Sequence, residues 1–131
     1  MSSQMVRSFD DLIAWQKARE LTKCIYQVSN NANFAKDFGL AGQIRRASVS
    51  IMANIAEGSD RPSTKEFLRF LGMAKASCAE VRSHLYVARD IQYLNDEEFK
   101  ELNQRAHELL RIIAGLRLSL QNKLAQSGTN H

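Results

Sequence analysis

The stretch from Gln43 to Gly58 decides the fold of this chain, and it reads Gln-Ile-Arg-Arg-Ala-Ser-Val-Ser-Ile-Met-Ala-Asn-Ile-Ala-Glu-Gly. At about 100° per residue, the apolar positions of such a helix divide into two faces. One narrow face holds Leu40, Ile44, Ala47, Ile51 and Ile55, and the other side holds Val49, Met52, Ala53 and Ala56. A surface helix of a small domain has a single apolar face. We therefore expect either three neighbouring helices or a second chain to surround this helix.

Length and composition indicate one globular domain over residues 1–131. A hydrophobic content of 44% and a charged content of 24% are ordinary for a folded protein. One proline and six glycines are few, which favours long helices over many turns.

The chain is expected to be cytoplasmic and not to contact a membrane. No apolar run approaches the ~18 residues that span a bilayer, and the first eight residues lack the apolar core of a signal peptide. Cys24 and Cys78 are isolated and are expected to act as small hydrophobic side chains. A net charge of +4 is compatible with an anionic partner but does not require one.

Apolar residues at spacings of three and four predict four helices, over residues 9–29, 40–57, 63–90 and 96–125, with a disordered tail at 126–131. The first helix carries Ala14, Ala18, Leu21, Ile25 and Val28. The third carries Phe67, Phe70, Leu71, Ala74, Cys78, Val81, Leu85 and Ala88. The fourth carries Phe99, Leu102, Ala106, Leu109, Ile113, Leu116 and Leu120, with Leu110, Ile112, Leu118 and Leu124 widening the stripe.

Polar residues that favour helix ends stand beside each of these segments. The predicted N-terminal caps are Ser8, Asp37, Ser63 and Asn95. Gly58 is expected to end the second helix in the left-handed conformation. Nothing in the chain reads as a strand. Four helices with short links predict an all-α, antiparallel up-down-up-down four-helix bundle.

No metal or cofactor site is expected. Di-iron sites in helical bundles need Glu-x-x-His pairs, whereas Glu80 and His84 are one residue too far apart. The chain also lacks a Gly-x-Ser-x-Gly motif and a glycine-rich phosphate loop, so no catalytic residue is predicted.

A polar seam on the second helix is open to two interpretations. It comprises Gln43, Arg46, Ser50, Asn54 and Glu57, and it is expected to face Ser77, Glu80 and His84 on the third helix. Such a cluster could serve a small enzyme. We favour the alternative, in which it fixes helix register or a contact between subunits.

A second candidate site is basic. Lys75, Arg82 and Arg89 recur every seven residues and share a face of the third helix, near Arg61, Lys65 and Arg69. Repeated around an oligomer, these cations would form a basic band able to neutralise phosphates of RNA or DNA. No aromatic residue is expected to interleave with them, so binding would be directed at the backbone and weakly sequence-specific.

The chain resembles a known family in several motifs. They are Phe9-x-x-Leu12, Ala14-Trp15-Gln16-Lys17-Ala18, Gly39-Leu40, Gln43-Ile44-Arg45-Arg46-Ala47, Ser50-Ile51, Ala53-Asn54-Ile55-Ala56-Glu57-Gly58, Arg61, Glu66-Phe67-x-Arg69-Phe70-Leu71, Ala74 and Glu80. They are similar to the four-helix-bundle family encoded within intervening sequences of bacterial large-subunit ribosomal RNA genes, over about residues 9–116. Two positions depart from the family pattern, with Ala76-Ser77 replacing Gly-Ser and Ser59-Asp60 replacing a glycine-containing loop.

The resemblance implies a small bundle that assembles into a ring, typically a homopentamer, with an unknown biochemical role. The chain is also distantly similar to the accessory variability determinant of diversity-generating retroelements, a basic pentameric barrel that partners a reverse transcriptase and binds nucleic acid. The leading hypothesis is therefore a non-catalytic oligomeric binding or scaffold module, acting on nucleic acid or assisting a nucleic-acid enzyme. The alternatives are an enzyme that uses the polar seam and a purely structural oligomer.

Overall fold

The computed structural model describes residues 8–129, with side chains as far as Ser127, and over that range it contains five α-helices and no strand. The helices are α1 (Ile13–Ser29), α2 (Ala32–Lys36), α3 (Phe38–Ser59), α4 (Thr64–Asp90) and α5 (Asp96–Thr129). The all-α prediction is confirmed for these residues, and the second, third and fourth predicted helices correspond to α3, α4 and α5. None of the described helices is both long and apolar enough to cross a membrane.

The first helix begins later than predicted, because a 3₁₀ turn over Phe9–Asp11 is separated from α1 by an extended residue, Leu12. The predicted cap by Ser8 is wrong. Its hydroxyl donates to the carboxylate of Asp10, and its oxygen accepts no backbone amide hydrogen of the turn. The ring of Phe9 packs edge-on against Trp15, with 5.0 Å between centroids. The first seven residues, which precede the first predicted helix, lie outside the described range.

The other three predicted caps are present. Asp37 and Ser63 accept the amide hydrogen of the third residue of α3 and of α4, at 3.1 Å and 3.0 Å. Asn95 and Glu98 cap α5 reciprocally, each accepting the other's amide hydrogen, at 2.8 Å and 3.0 Å. These bonds satisfy donors that would otherwise have no partner inside the helix.

Gly58 does not end its helix in the left-handed conformation, and this prediction is wrong. It is buried within α3, which continues to Ser59. A Cβ atom at Gly58 would lie 2.6 Å from Cβ of Phe70 and 3.0 Å from Cδ1 of Phe67. The glycine is therefore required by the close approach of α4.

Two non-glycine residues in the described part of the chain have positive φ: Ala32 at 36° and Gln92, which follows α4, at 66°. The amide of Gln92 donates to the carbonyl of Arg89, and that of Tyr93 donates to the carbonyl of Ala88, at 3.0 Å and 2.8 Å. This pair of bonds is a Schellman motif, which ordinarily carries glycine at the left-handed position. It turns the chain so that Tyr93 points back towards α2 and α3.

The core lies between α1, α3, α4 and α5. Helix α3 packs against α1 and α4, and α5 packs against the same two helices. The predicted stripes supply most of the buried residues: Ala14, Ala18, Leu21 and Ile25 on α1, Ile44, Ala47, Ile51 and Ile55 on α3, the α4 stripe from Phe70 to Ala88, and Phe99 to Ile113 on α5. The second apolar face of α3 is less covered, since Val49 and Ala53 are exposed.

Side-chain contacts show that neighbouring long helices run in opposite directions. Along α4 and α5, Arg89 contacts Phe99, Arg82 contacts Asn103, and Cys78 contacts Ala106. Residue numbers rise on one helix while they fall on the other. The contacts of α1 with α5 follow the same rule, as Lys17 meets Glu108 and Glu20 meets Arg105.

The last helix is longer than predicted. Residues 126–129 continue α5 to Thr129, where a disordered tail was expected, and residues 130–131 lie outside the described range. Continuing an existing helix adds one hydrogen bond for each residue fixed, so a polar end without proline can extend it. The prediction failed because it took the end of the apolar stripe for the end of the helix.

Candidate functional site

The centre of the polar seam is a small hydrogen-bonded cluster between α3 and α4. The hydroxyls of Ser50 and Ser77 lie 3.0 Å apart. The amide nitrogen of Asn54 donates to the backbone carbonyl and the hydroxyl of Ser50, at 2.9 Å and 3.1 Å. These partly buried groups satisfy one another and connect the two helices at a fixed level.

The charged members of the seam do not converge on that cluster. Glu57 pairs with Arg61 at 3.1 Å, and Glu80 pairs with His84 at 3.2 Å along its own helix. Arg46 is exposed and makes no ion pair with either carboxylate among the described residues, and Gln43 is also exposed. The structure thus brings together Ser50, Asn54 and Ser77, whereas Glu57 and Glu80 each pair with a residue of their own stretch of chain and not with Arg46.

The six basic residues predicted to bind nucleic acid fall into three groups. Arg61 and Arg69 lie over the ring of Phe70, at 5.0 Å and 4.7 Å from its centroid. Lys65 and Lys75 are exposed, and neither makes an ion pair within the described residues. The third group, Arg82 and Arg89, contacts α5.

Contacts with α5 orient these last two arginines. Nε of Arg82 donates to Oδ1 of Asn103 at 3.1 Å. The guanidinium of Arg89 lies 4.5 Å from the ring of Phe99 and 5.3 Å from that of Tyr86, and pairs with the adjacent Asp90 at 3.5 Å. The expectation that no aromatic side chain accompanies the cations is therefore wrong, because Phe70 and Tyr86 do.

Basic side chains on α5 were missed by the sequence reasoning. Arg111, Lys100 and His107 are exposed, and Arg117 is half-buried with Nε lacking a hydrogen-bond partner in the described part of the chain. A Cβ atom at Gly72 would lie 3.8 Å from Nη2 of Arg117, so this arginine lies beside α4. One signal was visible in the sequence: no acidic residue follows Glu108. Only the packing of the helices shows which helix these cations adjoin.

Arg82 lines an open depression of about 720 Å³ together with Asn103, His107 and Arg111. Glu101 and Glu108 line the same depression. Both carboxylates are already paired with cations on the α1 side, Glu101 with Arg105 at 3.4 Å and Glu108 with Lys17 at 3.5 Å. The cations on the α4 side make no ion pair with them.

Of the two cysteines, Cys78 is poorly placed for nucleophilic chemistry. Cys78 is buried, and its thiol donates to the carbonyl of Ala106 at 3.3 Å. Burial raises the pKa of the Cys78 thiol to about 11, so it is protonated at neutral pH. No group of three or more His, Cys, Asp or Glu side chains among the described residues is arranged to hold a metal ion.

Comparisons with known proteins agree with the helical architecture. The model of the 23S rRNA-intervening sequence protein family matches residues 10–115. A crystal structure from Bacteroides thetaiotaomicron, described as a protein of unknown function from the S23 ribosomal protein family, is similar at 24% identity with a TM-score of 0.74. The likeness covers 80% of this chain and 98% of that one and, at this identity, shows the fold alone. No curated protein matches the chain.

Proposed function

The chain belongs to the 23S rRNA-intervening sequence protein family, and on that premise we propose that it is a non-catalytic binding or scaffold module. Its four long helices form one antiparallel four-helix bundle, and copies of the bundle assemble into a ring in the cytoplasm. The opposed directions of neighbouring helices support the bundle. The two free cysteines are compatible with a reducing compartment.

The observation that carries the proposal of self-assembly is the uncovered face of α3. Val49 is 43% exposed, and Ala53 is also exposed. They adjoin Ser50 and Asn54 in sequence, on a helix whose opposite face is fully packed. On α4, Met73 is exposed within one helical turn of Ser77. Exposed apolar side chains on otherwise packed helices are typical of a protein–protein interface, and a second copy of the same surface is the proposed partner.

Size-exclusion chromatography with light scattering tests self-assembly. The wild-type protein is expected to elute at a multiple of its 14.8 kDa chain mass, with five chains the number that the resemblance implies. Val49→Glu places a charge on the proposed interface and is expected to yield monomers. Ile91→Glu is the matched control, because Ile91 is 48% exposed but lies in the turn after α4. A wild-type monomer at micromolar concentration would overturn the proposal.

The proposed absence of catalysis is supported by the separation of the seam's charged groups. Glu57 and Glu80 are each paired with a residue four positions along the chain, and neither pairs with Arg46. An enzyme that used this seam would need an acid and a base directed at a common point. If Glu80→Gln abolished a hydrolytic or transfer activity of the purified protein, this part of the proposal would fail.

The second part of the proposal is that the ring binds RNA or DNA through its basic surface. Net charge of +4 and the exposed cations Lys65 and Lys75 support it. Repetition of a modest basic surface around a ring multiplies phosphate contacts, on which affinity depends. Titration of labelled RNA and DNA at two salt concentrations tests it, and affinity without salt dependence would contradict it.

A further inference from the structure

We propose that the outer groove between α4 and α5 is where the phosphate backbone of a nucleic acid binds. This inference rests on the nucleic-acid part of the proposed function. It differs from the sequence-based hypothesis in one essential respect. The basic residues of α4 do not act as a band on one helix, since α5 also contributes side chains to the binding surface.

Contacts between α4 and α5 at three positions along the helices define the course of the groove. Arg89 meets Phe99 near one end, Arg82 meets Asn103 further along, and Arg117 lies beside Gly72 near the other end. Residues three, four or seven positions apart share a helix face. Positions between these contacts therefore lie along the same groove: Lys75 and Ala79 on α4, and His107, Leu110 and Ala114 on α5.

The charge along this line is of one sign over most of its length. On α4, Lys75, Arg82 and Arg89 recur every seven residues, which spaces them by about 10.5 Å. Asp90 and Asp96 lie only at the end near Arg89. Among the described residues, neither Lys75 nor Arg82 has an ion-pair partner. The carboxylates of α5 that face the neighbouring depression are bound by cations on the α1 side.

The arginines of the groove are partly positioned before any ligand binds. Asn103 holds Nε of Arg82, which leaves its terminal nitrogens as donors. The guanidinium of Arg117 lies against α4 where Gly72 has no side chain, and its Nε has no hydrogen-bond partner in the described part of the chain. A guanidinium held as that of Arg82 is by Asn103 binds phosphate with less loss of side-chain freedom.

A polyanion fits this surface better than a folded acidic protein. The cations extend over 15 residues of α4, from Lys75 to Arg89, and over α5 as far as Arg117, and Gly72, Ala79 and Ala114 leave few side chains between them. A phosphodiester backbone offers regularly repeated charges to such a line. A protein partner would need a carboxylate opposite each cation of the groove. The experiment below distinguishes such a partner from nucleic acid.

The experiment compares two variants that lose the same charge. Lys75→Gln/Arg111→Gln removes two exposed cations from the groove and its depression. Lys23→Gln/Lys36→Gln removes two exposed cations from α1 and α2. Fluorescence anisotropy with a labelled single-stranded RNA, and with DNA of the same sequence, gives Kd at several salt concentrations. The groove variant should raise Kd by about tenfold and reduce the slope of log K against log salt by about 1.4.

The control variant should change Kd far less. If both variants lost the same affinity while the wild-type protein bound normally, the groove would not be the binding site. The basic surface as a whole would then be responsible. No wild-type binding to either nucleic acid would overturn the nucleic-acid part of the proposed function as well. If the groove variant lost self-assembly in light scattering, the groove would be a contact between subunits instead.

Circular dichroism should show unchanged helicity, because the substituted side chains are exposed. A second groove variant, Lys100→Gln/Arg117→Gln, provides an independent measurement and should weaken binding in the same way, because Lys100 lies three residues before Asn103 and shares its helix face. The proposal would also be contradicted if an acidic protein bound in a pull-down while both groove variants kept the wild-type affinity for RNA.

Discussion

The hydroxyl of Tyr93 donates a hydrogen bond to Oδ2 of Asp37 at 2.9 Å, across 56 residues of sequence. Oδ1 of the same carboxylate caps α3 by accepting the amide hydrogen of Leu40. The ring of Tyr93 also stacks on Phe34 of α2, with 5.2 Å between centroids. Through these contacts Tyr93, in the turn between α4 and α5, holds the start of α3 in place. The stability of the fold should therefore depend on the ionisation of both Asp37 and Tyr93.

Asp37→Asn should make the free energy of unfolding depend less on pH under acidic conditions. The amide of Leu40, and then the hydroxyl of Tyr93, hold the pKa of Asp37 below its ordinary value of 3.8. Because the folded pKa is lower than the unfolded one, this stabilisation is complete above 3.8 and is lost as pH falls through the folded value. Urea unfolding of both proteins between pH 7 and pH 2 measures the effect. Parallel profiles would show that Asp37 is not a source of the acid sensitivity.

Tyr93→Phe should reduce stability at neutral pH and remove a loss of stability at high pH. The hydrogen bond to Asp37 raises the pKa of Tyr93 above its ordinary value of 10.0, and burial adds to the shift. The protonated phenol therefore stabilises the fold below pH 10.0, and this contribution is lost as pH rises through the folded pKa. Thermal unfolding at pH 7 and pH 11 tests it, with Tyr26→Phe as the control because no hydrogen bond of the Tyr26 hydroxyl is present among the described contacts. Tyr93→Phe should also raise the pKa of Asp37, measurable by NMR.

Gly58→Ala and Gly115→Ala should have opposite effects. The new Cβ atom at Gly58 would lie 2.6 Å from Cβ of Phe70, which forces α3 and α4 apart. Overpacking of this kind costs about 1–3 kcal/mol. Gly115 has nothing within 4 Å of the same added atom, and alanine stabilises an exposed helix by about 0.5–1 kcal/mol relative to glycine. Denaturant unfolding measures both. A stabilising Gly58→Ala would contradict the close approach of the two helices.

Thiol modification should distinguish the two cysteines in the native protein. Cys24 is half-buried, whereas Cys78 is buried and has its pKa raised to about 11 by desolvation. At pH 8 only about one Cys78 in a thousand would be the reactive thiolate, even with access to solvent. Ellman's reagent should therefore react first with a single thiol, and with both after unfolding. The fast phase should disappear in Cys24→Ser, and its persistence there would assign it to Cys78 and contradict the burial.

Much of the fold could be predicted from apolar spacing alone. On α4, all but Phe67 of the eight predicted core residues are buried, because a long helix with one stripe has only one way to bury it. The prediction was less complete where an apolar face has no partner in the chain. Val49 on α3 and Leu118 on α5 are exposed, and spacing cannot say whether a neighbour is present to cover them.

The candidate sites were predicted less completely, because they depend on which helices adjoin. Seven-residue spacing correctly placed Arg82 and Arg89 on one face, but it could not show that Asn103 and Phe99 lie against them. In the polar seam, spacing identified Ser50 and Asn54 as neighbours on α3. It did not separate them from Glu57, which turns instead to Arg61.

The sequence by itself determined the helices, most of their caps and the residues that fill the core, since these follow from local hydrogen bonding and from the period of the helix. Only the tertiary structure decided the role of Gly58, which was expected to end α3 and instead makes room for Phe70. It alone showed that Gln92 adopts the left-handed conformation and that Tyr93 reaches Asp37. It also placed Arg117 beside α4. Each of these depends on the distance between segments far apart in the chain, and that distance is set by how side chains of different helices pack, which no local pattern encodes.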